Sequence, residues 1–343
     1  MKRFLLLTLC AIVIAGCGGG GGSHRTGDLQ VVDLPTSDVV YNPSNQMIYA
    51  SVPNTGGTYS NAVVAIDPVS GMVAGSVFVG SNPTKLALSD DGQVLYAAVD
   101  VAVRKIDPIA MTAGPIYTLG NLGPDNPYYA TDLAVSPGQP GTFAVIRRTL
   151  SWEGEGVAIY DDGVQRPGVA GDGMTSNGSM IAYNSQSALV YGRNTPYESY
   201  DVFKVGITAT GAGITDQHTG LNSDMGGGFV RGMEYDSGSA YLTLGYVIDP
   251  ATLTVVGRFP MVYMPRLVEP DVANGIVYFL TEDWSSSEAY TLRAFNSRTF
   301  VQVSSLEIGK LSGVPRSLIR CGTDGLAIGT SNKVYLVHTA ALH

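Results

Sequence analysis

The sequence predicts an all-β domain, specifically a seven-bladed β-propeller of four-stranded blades closed by an N-terminal strand. Three observations lead to this prediction. Charged residues make up only 14% of the 343-residue chain, whereas glycine and tyrosine number 43 and 19, which favours short strands and tight turns over amphipathic helices. One strand pattern recurs seven times along the chain, and Leu29–Leu34 is a strand that belongs to none of the seven copies.

Each repeat opens with a polar residue and an apolar triplet, followed by a turn and a strand rich in tyrosine and β-branched residues. Successive copies start 35 to 52 residues apart, at Asp38, Lys85, Asp132, Ser179, Arg231, Arg266 and Arg316. This spacing is typical of one four-stranded propeller blade, about 40 to 50 residues.

The remaining strands of each repeat are marked by turn residues. The third strand ends at an Asp-Pro or Asn-Ser pair, as at Asp67, Asp107, Asp249 and Asn296. Such side chains accept hydrogen bonds from the backbone two residues on, and proline presets the turn. The last repeat supplies only three strands, so Leu29–Leu34 is expected to complete its sheet and leave no open edge.

Two segments carry a resemblance to a known repeat family. Asn82–Gly92 reads NPTKLALSDDG and is followed by QVLYAA, while Val64–Gly71 reads VAIDPVSG. The chain resembles the YVTN-type β-propeller repeats, which are related in form to NHL and lactonase-like propellers. The resemblance is strong from residue 38 to about residue 112. The Tyr-Val-Thr-Asn tetrad that gives the family its name is absent, and Tyr49–Val52 and Tyr96–Val99 stand in its place. It implies a fold and no particular activity.

The N-terminus carries an export signal. Lys2 and Arg3 precede an apolar run that is too short to span a hydrocarbon core of about 30 Å. Ile14–Cys17 resembles the bacterial lipobox, which implies that Cys17 is lipidated and that residues 1–16 are removed. Residues 17–27 are then a lipidated, glycine-rich tether, and residues 28–343 are the propeller domain. No aspartate follows Cys17, which favours the outer membrane.

Charge and cysteine content exclude several classes of function. After removal of Lys2 and Arg3 the chain has 29 acidic and 18 basic residues, a net charge of −11, which argues against a nucleic-acid partner. With Cys10 removed and Cys17 lipidated, Cys321 has no disulfide partner and is expected to be buried as a small apolar residue. No second apolar run is long enough for a transmembrane helix.

Catalytic and metal-binding motifs are not apparent. The histidines His24, His218, His338 and His343 are not at ligand spacing with one another or with cysteine. We therefore expect no catalytic residues, no cofactor and no catalytic metal. Calcium binding is left as an alternative, because scattered aspartates and backbone oxygens can bind this ion.

The first residues of the repeats are the best candidates for a ligand site. Because the first strands of propeller blades line the central channel, we expect these residues around one mouth: Asp38, Lys85, Asp132, Ser179, Arg231, Arg266 and Arg316. Four positive and two negative charges give this ring a net charge of +2. The guanidinium group of arginine can donate two parallel hydrogen bonds to a carboxylate or a phosphate group. The ring therefore predicts a site for a small anion. The alternative is that the basic residues pair with Asp38 and Asp132 and only stabilise the channel.

Aromatic residues in the loops between second and third strands are candidates for a rim that binds sugars or peptides: Tyr59, Trp152 and Trp284. The alternative is that each tryptophan packs under its own loop. The leading hypothesis is a non-catalytic, lipid-anchored module that binds a peptide, glycan or partner protein. The alternatives are a periplasmic lactonase-like hydrolase and a small-anion sensor that uses the arginine ring.

Overall fold

The computed structural model describes residues 23–26, 29–150, 154–171, 177–183, 189–194, 200–218, 221, 232–261, 264–283 and 288–338. They form a β-propeller of antiparallel, mostly four-stranded sheets around a central axis, with 3-10 turns only at Gly57–Tyr59 and Val272–Asn274. None of the helices formed by these residues is long and apolar enough to cross a membrane.

The strands follow one another in chain order, and the first strand of each meander lies at the axis. Two strands come before the first full sheet: β1 (Ser23–Thr26) and β2 (Leu29–Val32). The first sheet contains β3 (Asp38–Asn42), β4 (Met47–Val52), β5 (Ala62–Ile66) and β6 (Val73–Phe78). The second sheet contains β7 (Pro83–Leu88), β8 (Leu95–Val99), β9 (Ala102–Asp107) and β10 (Thr112–Thr118).

A small hairpin and an eight-stranded sheet, called the double sheet below, come next. The hairpin contains β11 (Asn121–Gly123) and β12 (Asn126–Pro127). The first half of the double sheet contains β13 (Tyr129–Ser136), β14 (Gln139–Arg148), β15 (Gly154–Asp161) and β16 (Val164–Ala170). Its second half contains β17 (Asn177–Tyr183), β18 (Leu189–Asn194), β19 (Tyr200–Thr208) and β20 (Gly211–His218).

Three more sheets complete the ring. The fourth sheet contains β21 (Met233–Asp236), β22 (Ser239–Leu242), β23 (Tyr246–Asp249) and β24 (Thr254–Arg258). The fifth contains β25 (Met264–Asp271), β26 (Ile276–Asp283), β27 (Ala289–Asn296) and β28 (Gln302–Lys310). The closing sheet contains β29 (Pro315–Cys321), β30 (Gly325–Thr330) and β31 (Val334–His338), joined by β2 and β1.

The number of blades differs from the prediction: the structure has six, not seven. The third and fourth repeats share the double sheet, each half of which is a four-stranded meander. Their outer strands β16 and β20 meet in parallel at Gly168 and Gly211, where the Gly168 amide donates to the Thr210 carbonyl at 2.7 Å. Because neither glycine has a side chain, the two backbones approach closely enough to hydrogen-bond.

The ring is closed by β2. This strand pairs antiparallel with β31, from Leu29 opposite Val337 to Val32 opposite Val334, as the sequence predicts. The segment just before β2 differs from the prediction. Ser23–Thr26 is part of the predicted flexible tether, but it forms strand β1, which pairs with the outer edge of β2. This fifth strand gives hydrogen-bond partners to an edge that would otherwise be open.

Apolar clusters lie between successive sheets. The strands β5 and β8 are buried along their whole length, because a neighbouring sheet covers each face. The outer strand β6 alternates between half-buried and exposed residues.

The predicted turns are also present: Asp107 Oδ1 accepts from the amides of Ile109 and Ala110 at 2.9 and 2.8 Å. Cys321 is buried, as expected, and burial raises the pKa of its thiol to about 12.

Candidate functional site

The inner strands line a cavity at the axis of the ring, with a volume of about 260 Å³. Four of the predicted ligand-binding residues lie in its wall: Asp38, Lys85, Asp132 and Arg316. Arg231 and the side chain of Ser179 lie outside the described residues. The cavity is therefore the place where most of the predicted ring comes together.

Arg266 is not part of this wall. Its Nε donates to Glu282 Oε2 at 2.5 Å, and the two side chains form an ion pair between neighbouring strands of the fifth sheet. Arg266 instead lines a second pocket on the side of the closing sheet, and Arg316 lines both. The expected convergence of Arg266 on the channel mouth is thus not observed.

A one-residue shift in register explains the difference. The stretch Ser317–Cys321 has the same burial pattern as Asp38–Asn42, so Ser317 rather than Arg316 is the counterpart of Asp38. The other weak repeats shift in the same way, and the cavity wall contains Met180, Gly232 and Leu267. Because strand side chains alternate between faces, a shift of one residue moves a side chain to the opposite face.

Asp38 and Asp132 join neighbouring inner strands through the backbone. Asp38 Oδ2 accepts from the amide of Leu86, in the second sheet, at 3.1 Å. Asp132 Oδ2 accepts from the amide of Ile181, in the other half of the double sheet, at 3.0 Å. In each case Oδ1 accepts from the next residue of its own strand, at 3.0 Å. Both carboxylates therefore hold adjacent strands together, and much of their hydrogen-bonding capacity is already used.

Two glutamates that sequence reasoning missed also lie in the cavity wall. Glu234 and Glu269 stand two places after Gly232 and Leu267, where the other inner strands carry small or apolar residues. Enclosure by the ring raises the pKa of Glu234 to about 8, against the opposing effect of Lys85. Burial and the neighbouring Glu234 raise the pKa of Glu269 well above its ordinary value. An acidic residue inside an otherwise apolar inner strand was the signal that could have revealed them.

These two glutamates differ in their contacts. Glu269 Oε1 accepts from the amide of Arg320 at 2.8 Å, which links the fifth and closing sheets. Glu234 is exposed to the cavity and has no hydrogen bond or ion pair within the described part of the chain. Water in the cavity can reach this carboxyl, which moderates the effect of enclosure on its pKa.

Lys85 is the only lysine in the described cavity wall. Asp38, Asp132 and Glu234 raise the pKa of its ammonium group, so it stays charged. No carboxylate of the described residues comes within ion-pair distance, 4.0 Å, of its Nζ. The ammonium group therefore has hydrogen-bond donors available for whatever occupies the cavity.

The charge of the cavity differs from the predicted +2. Its described wall contains four carboxyl groups and two cations, Lys85 and Arg316. Burial raises the pKa of Glu234 to about 8 and also raises those of Glu269 and Asp132, so these three carboxyl groups carry less negative charge than exposed ones would. The cavity is then polar and close to neutral overall, which does not favour a free anion.

Tyr59 packs half-buried against the apolar cluster between the first and closing sheets. The other rim aromatics, Trp152 and Trp284, lie outside the described residues, as does the lipidation candidate Cys17.

The described residues contain no group of three histidine, cysteine, aspartate or glutamate side chains placed to hold a metal ion. In the cavity, the carboxylates of Asp38 and Asp132 bind amides of separate strands instead of converging on one point. What the wall offers to a ligand is a hydrogen-bond donor, the ammonium of Lys85, beside a group that can donate and accept, the carboxyl of Glu234.

Comparison with known proteins supports the fold. No family model and no curated protein matches the chain. Among solved structures, hydrazine synthase of Kuenenia stuttgartiensis is similar with a TM-score of 0.66 and 14% identity, over 90% of this chain and 97% of that chain. The β-propeller domain of Cps50 (Swd1) from Myceliophteria thermophila is similar with a TM-score of 0.63 and 14% identity, over 93% and 99%.

The WD40 β-propeller domain of Doa1 is similar with a TM-score of 0.60 and 13% identity, over 92% of this chain and 96% of that chain. At these low identities the likeness shows the β-propeller fold alone. Such folds are consistent with a binding or scaffold module, and the activity has to be argued from the site.

Proposed function

We propose that this chain is a lipid-anchored binding module of the cell envelope that takes a small, uncharged, hydroxyl-rich group into its axial cavity. The terminal sugar of a glycan is such a group. The observation that carries the proposal is that Lys85 and Glu234 face this cavity without a hydrogen bond or ion pair to the described protein residues.

The chemistry of the wall favours hydroxyl groups. Lys85 only donates hydrogen bonds, whereas a protonated Glu234 both donates and accepts. A hydroxyl group can also do both, so a polyol satisfies both side chains without bringing a charge. Because the wall is close to neutral, an uncharged ligand avoids the cost of burying an unpaired charge.

The size of the cavity also fits a small ligand. A volume of about 260 Å³ exceeds the space taken by a few water molecules, at roughly 30 Å³ each. It lies just below the range of about 300 to 1,000 Å³ for ligand pockets. One sugar unit is therefore a better match than a folded partner or a long peptide.

The anchoring part of the proposal comes from the N-terminal sequence. The lipobox-like Ile14–Cys17 and the glycine run that follows it support a lipid on Cys17 and a flexible tether. The outer membrane is the proposed location, and the YVTN-type repeats are the proposed family, on the motifs in Val64–Gly71 and Asn82–Gly92.

The test is binding of the mature, detergent-extracted protein to an immobilised array of glycans with different terminal sugars. We compare the wild type with Lys85→Met and Glu234→Gln. Lys105→Met is the matched control, because this lysine pairs with Asp162 at 3.4 Å away from the cavity wall.

We expect the wild type and Lys105→Met to retain the same terminal sugar. Lys85→Met should weaken that binding at least about tenfold, because it removes a hydrogen bond from a charged donor. Glu234→Gln should weaken it less, because the glutamine amide can still donate and accept as the protonated carboxyl does. Melting curves establish that the variants are folded. If no glycan is retained, or if Lys85→Met binds as the wild type does, the proposal is wrong.

A further inference from the structure

A second pocket lies between the fifth and closing sheets, beside the axial cavity. It has a volume of about 540 Å³ and is built from the ends of strands β25 to β28 and from the loop that leads into β29. The described lining residues that carry charge or a hydroxyl group are Arg266, Glu282, Glu288, Tyr290, Lys310 and Arg316. Its volume is within the range of small-molecule sites.

The cations of this pocket are not equally available. Arg266 is held by Glu282 in the ion pair described above. Lys310 and Arg316 have no hydrogen bond or ion pair to any residue that the structure describes. The pocket therefore combines one neutralised arginine with two cations whose donors are free for a ligand. Glu288 is a further carboxylate of the same wall, so three cations and two carboxylates leave the described wall with a net charge of +1.

The wall that carries these two cations is fixed in place by the closing sheet. The amide of Ser312 donates to the Tyr335 hydroxyl at 2.8 Å, and the Ser312 carbonyl accepts from Thr330 Oγ1 at 2.7 Å. The amide of Val314 donates to Ser331 Oγ at 3.0 Å. Lys310 and Arg316 flank this short anchored loop. Their backbone positions are thus set before any ligand binds, which lowers the entropy cost of binding.

The same wall has an apolar part. Leu311, Val314 and Pro315 line the pocket next to the cations, and 67% of Val314 is exposed. Leu267 adds to this surface from the opposite side. An exposed branched residue between two free cations is well suited to the apolar body of a ligand whose charged end meets the cations.

We propose that this pocket binds small carboxylate ligands with an apolar body, through Lys310 and Arg316. The carboxylate accepts hydrogen bonds from both cations, and the body packs on Leu311, Val314 and Pro315. Tyr290 lines the same pocket, and its hydroxyl can donate to the second carboxylate oxygen. This site does not depend on the axial cavity for its ligand, although Arg316 borders both.

The experiment is titration of the mature protein with 4-phenylbutyrate, with its uncharged amide as the matched ligand, followed by calorimetry or by NMR. We compare the wild type with the double variant Lys310→Gln/Arg316→Gln and with Arg298→Gln. Arg298 is an exposed arginine of the same sheet, at the turn after β27, outside the pocket wall.

We expect the wild type and Arg298→Gln to bind 4-phenylbutyrate and to bind its amide at least about tenfold more weakly. The double variant should lose at least the same factor, and added salt should weaken wild-type binding. Lys85→Met, which alters only the axial cavity, should bind 4-phenylbutyrate normally. Equal affinity for acid and amide, full binding by the double variant, or no saturable binding up to about 10 mM would each overturn the proposal.

Discussion

Ser317 donates a hydrogen bond from its hydroxyl to Asp38 Oδ1 at 2.6 Å, across a separation of 279 residues. This bond joins the inner strand of the closing sheet to that of the first sheet. Because Oδ2 of the same carboxylate accepts from the amide of Leu86, one side chain connects three successive sheets at the axis. The ring is therefore held together at its centre by polar contacts as well as by the apolar clusters between sheets.

Replacing this carboxylate should lower the stability of the whole ring. In Asp38→Asn the amide nitrogen would face a backbone donor, so at least one buried donor would lose its partner. We expect the free energy of unfolding in denaturant to fall by about 1 to 3 kcal/mol. The control is Asp33→Asn, because Asp33 forms an exposed pair with Lys333 at 2.6 Å and should contribute less than about 1 kcal/mol. Equal effects of the two changes would contradict this role of Asp38.

Glu234 should make stability depend on pH. Its pKa is raised from 4.5 to about 8, with Lys85, Asp38 and Asp132 as the charged groups around it. The stabilisation that comes with its protonated form is fully present below pH 4.5 and is lost as the pH rises through 8. We therefore expect the melting temperature of the wild type to decline over this interval and that of Glu234→Gln to decline less.

The control for this pH series is Glu307→Gln, because Glu307 is exposed on the outer strand β28. It should keep the wild-type slope of melting temperature against pH. Identical slopes for the wild type and Glu234→Gln would show that Glu234 titrates in the native state as it does in the unfolded chain.

Gly211 should be required for the junction within the double sheet. Its φ of +135° is in a region that side chains disfavour, and a Cβ there would overlap the carbonyl oxygen of Gly168. We expect Gly211→Ala to lower the free energy of unfolding by about 1 to 3 kcal/mol. Gly213→Ala is the matched control on the same strand, because nothing lies within 4 Å of its Cβ position. A Gly211→Ala protein as stable as the control would exclude a tight junction.

Cys17 should be the site of lipid attachment. We expect Cys17→Ser to accumulate as an uncleaved precursor or to appear in the soluble fraction, because serine lacks the thiol that receives the lipid. The measurement is cell fractionation combined with the mass of the N-terminal peptide. Cys321→Ser is the control, since that buried thiol has no part in anchoring and this variant should remain in the membrane fraction. Normal maturation and membrane partition of Cys17→Ser would contradict the lipoprotein prediction.

The strong repeats could be predicted from sequence, and the weak ones only approximately. Asp38, Lys85 and Asp132 are evenly spaced and precede similar apolar triplets, so they mark equivalent positions of the ring. In the last repeat Arg316 looked equivalent because it is polar, but the structure aligns Ser317 with Asp38. A charged residue beside a small polar one does not reveal which of the two faces the axis.

The axial site could be predicted only in part for a related reason. Glu234 and Glu269 occupy places where other repeats have apolar residues, so the repeat pattern gave them no role. The meeting of Gly168 with Gly211 was also missed, because it depends on how two outer edges approach each other in space. Local sequence patterns specify strands and turns, whereas these contacts arise from tertiary packing.

The pairing of β2 with β31 has a consequence for the order in which the protein can form. β2 is made before all the full sheets and its partner β31 is made after them, so the ring cannot close until β31 has been synthesised. Contacts between residues so far apart in sequence slow folding, and incomplete chains expose strand edges that promote aggregation. We therefore expect fragments that end before Val334 to be poor folders, even though each contains several complete sheets.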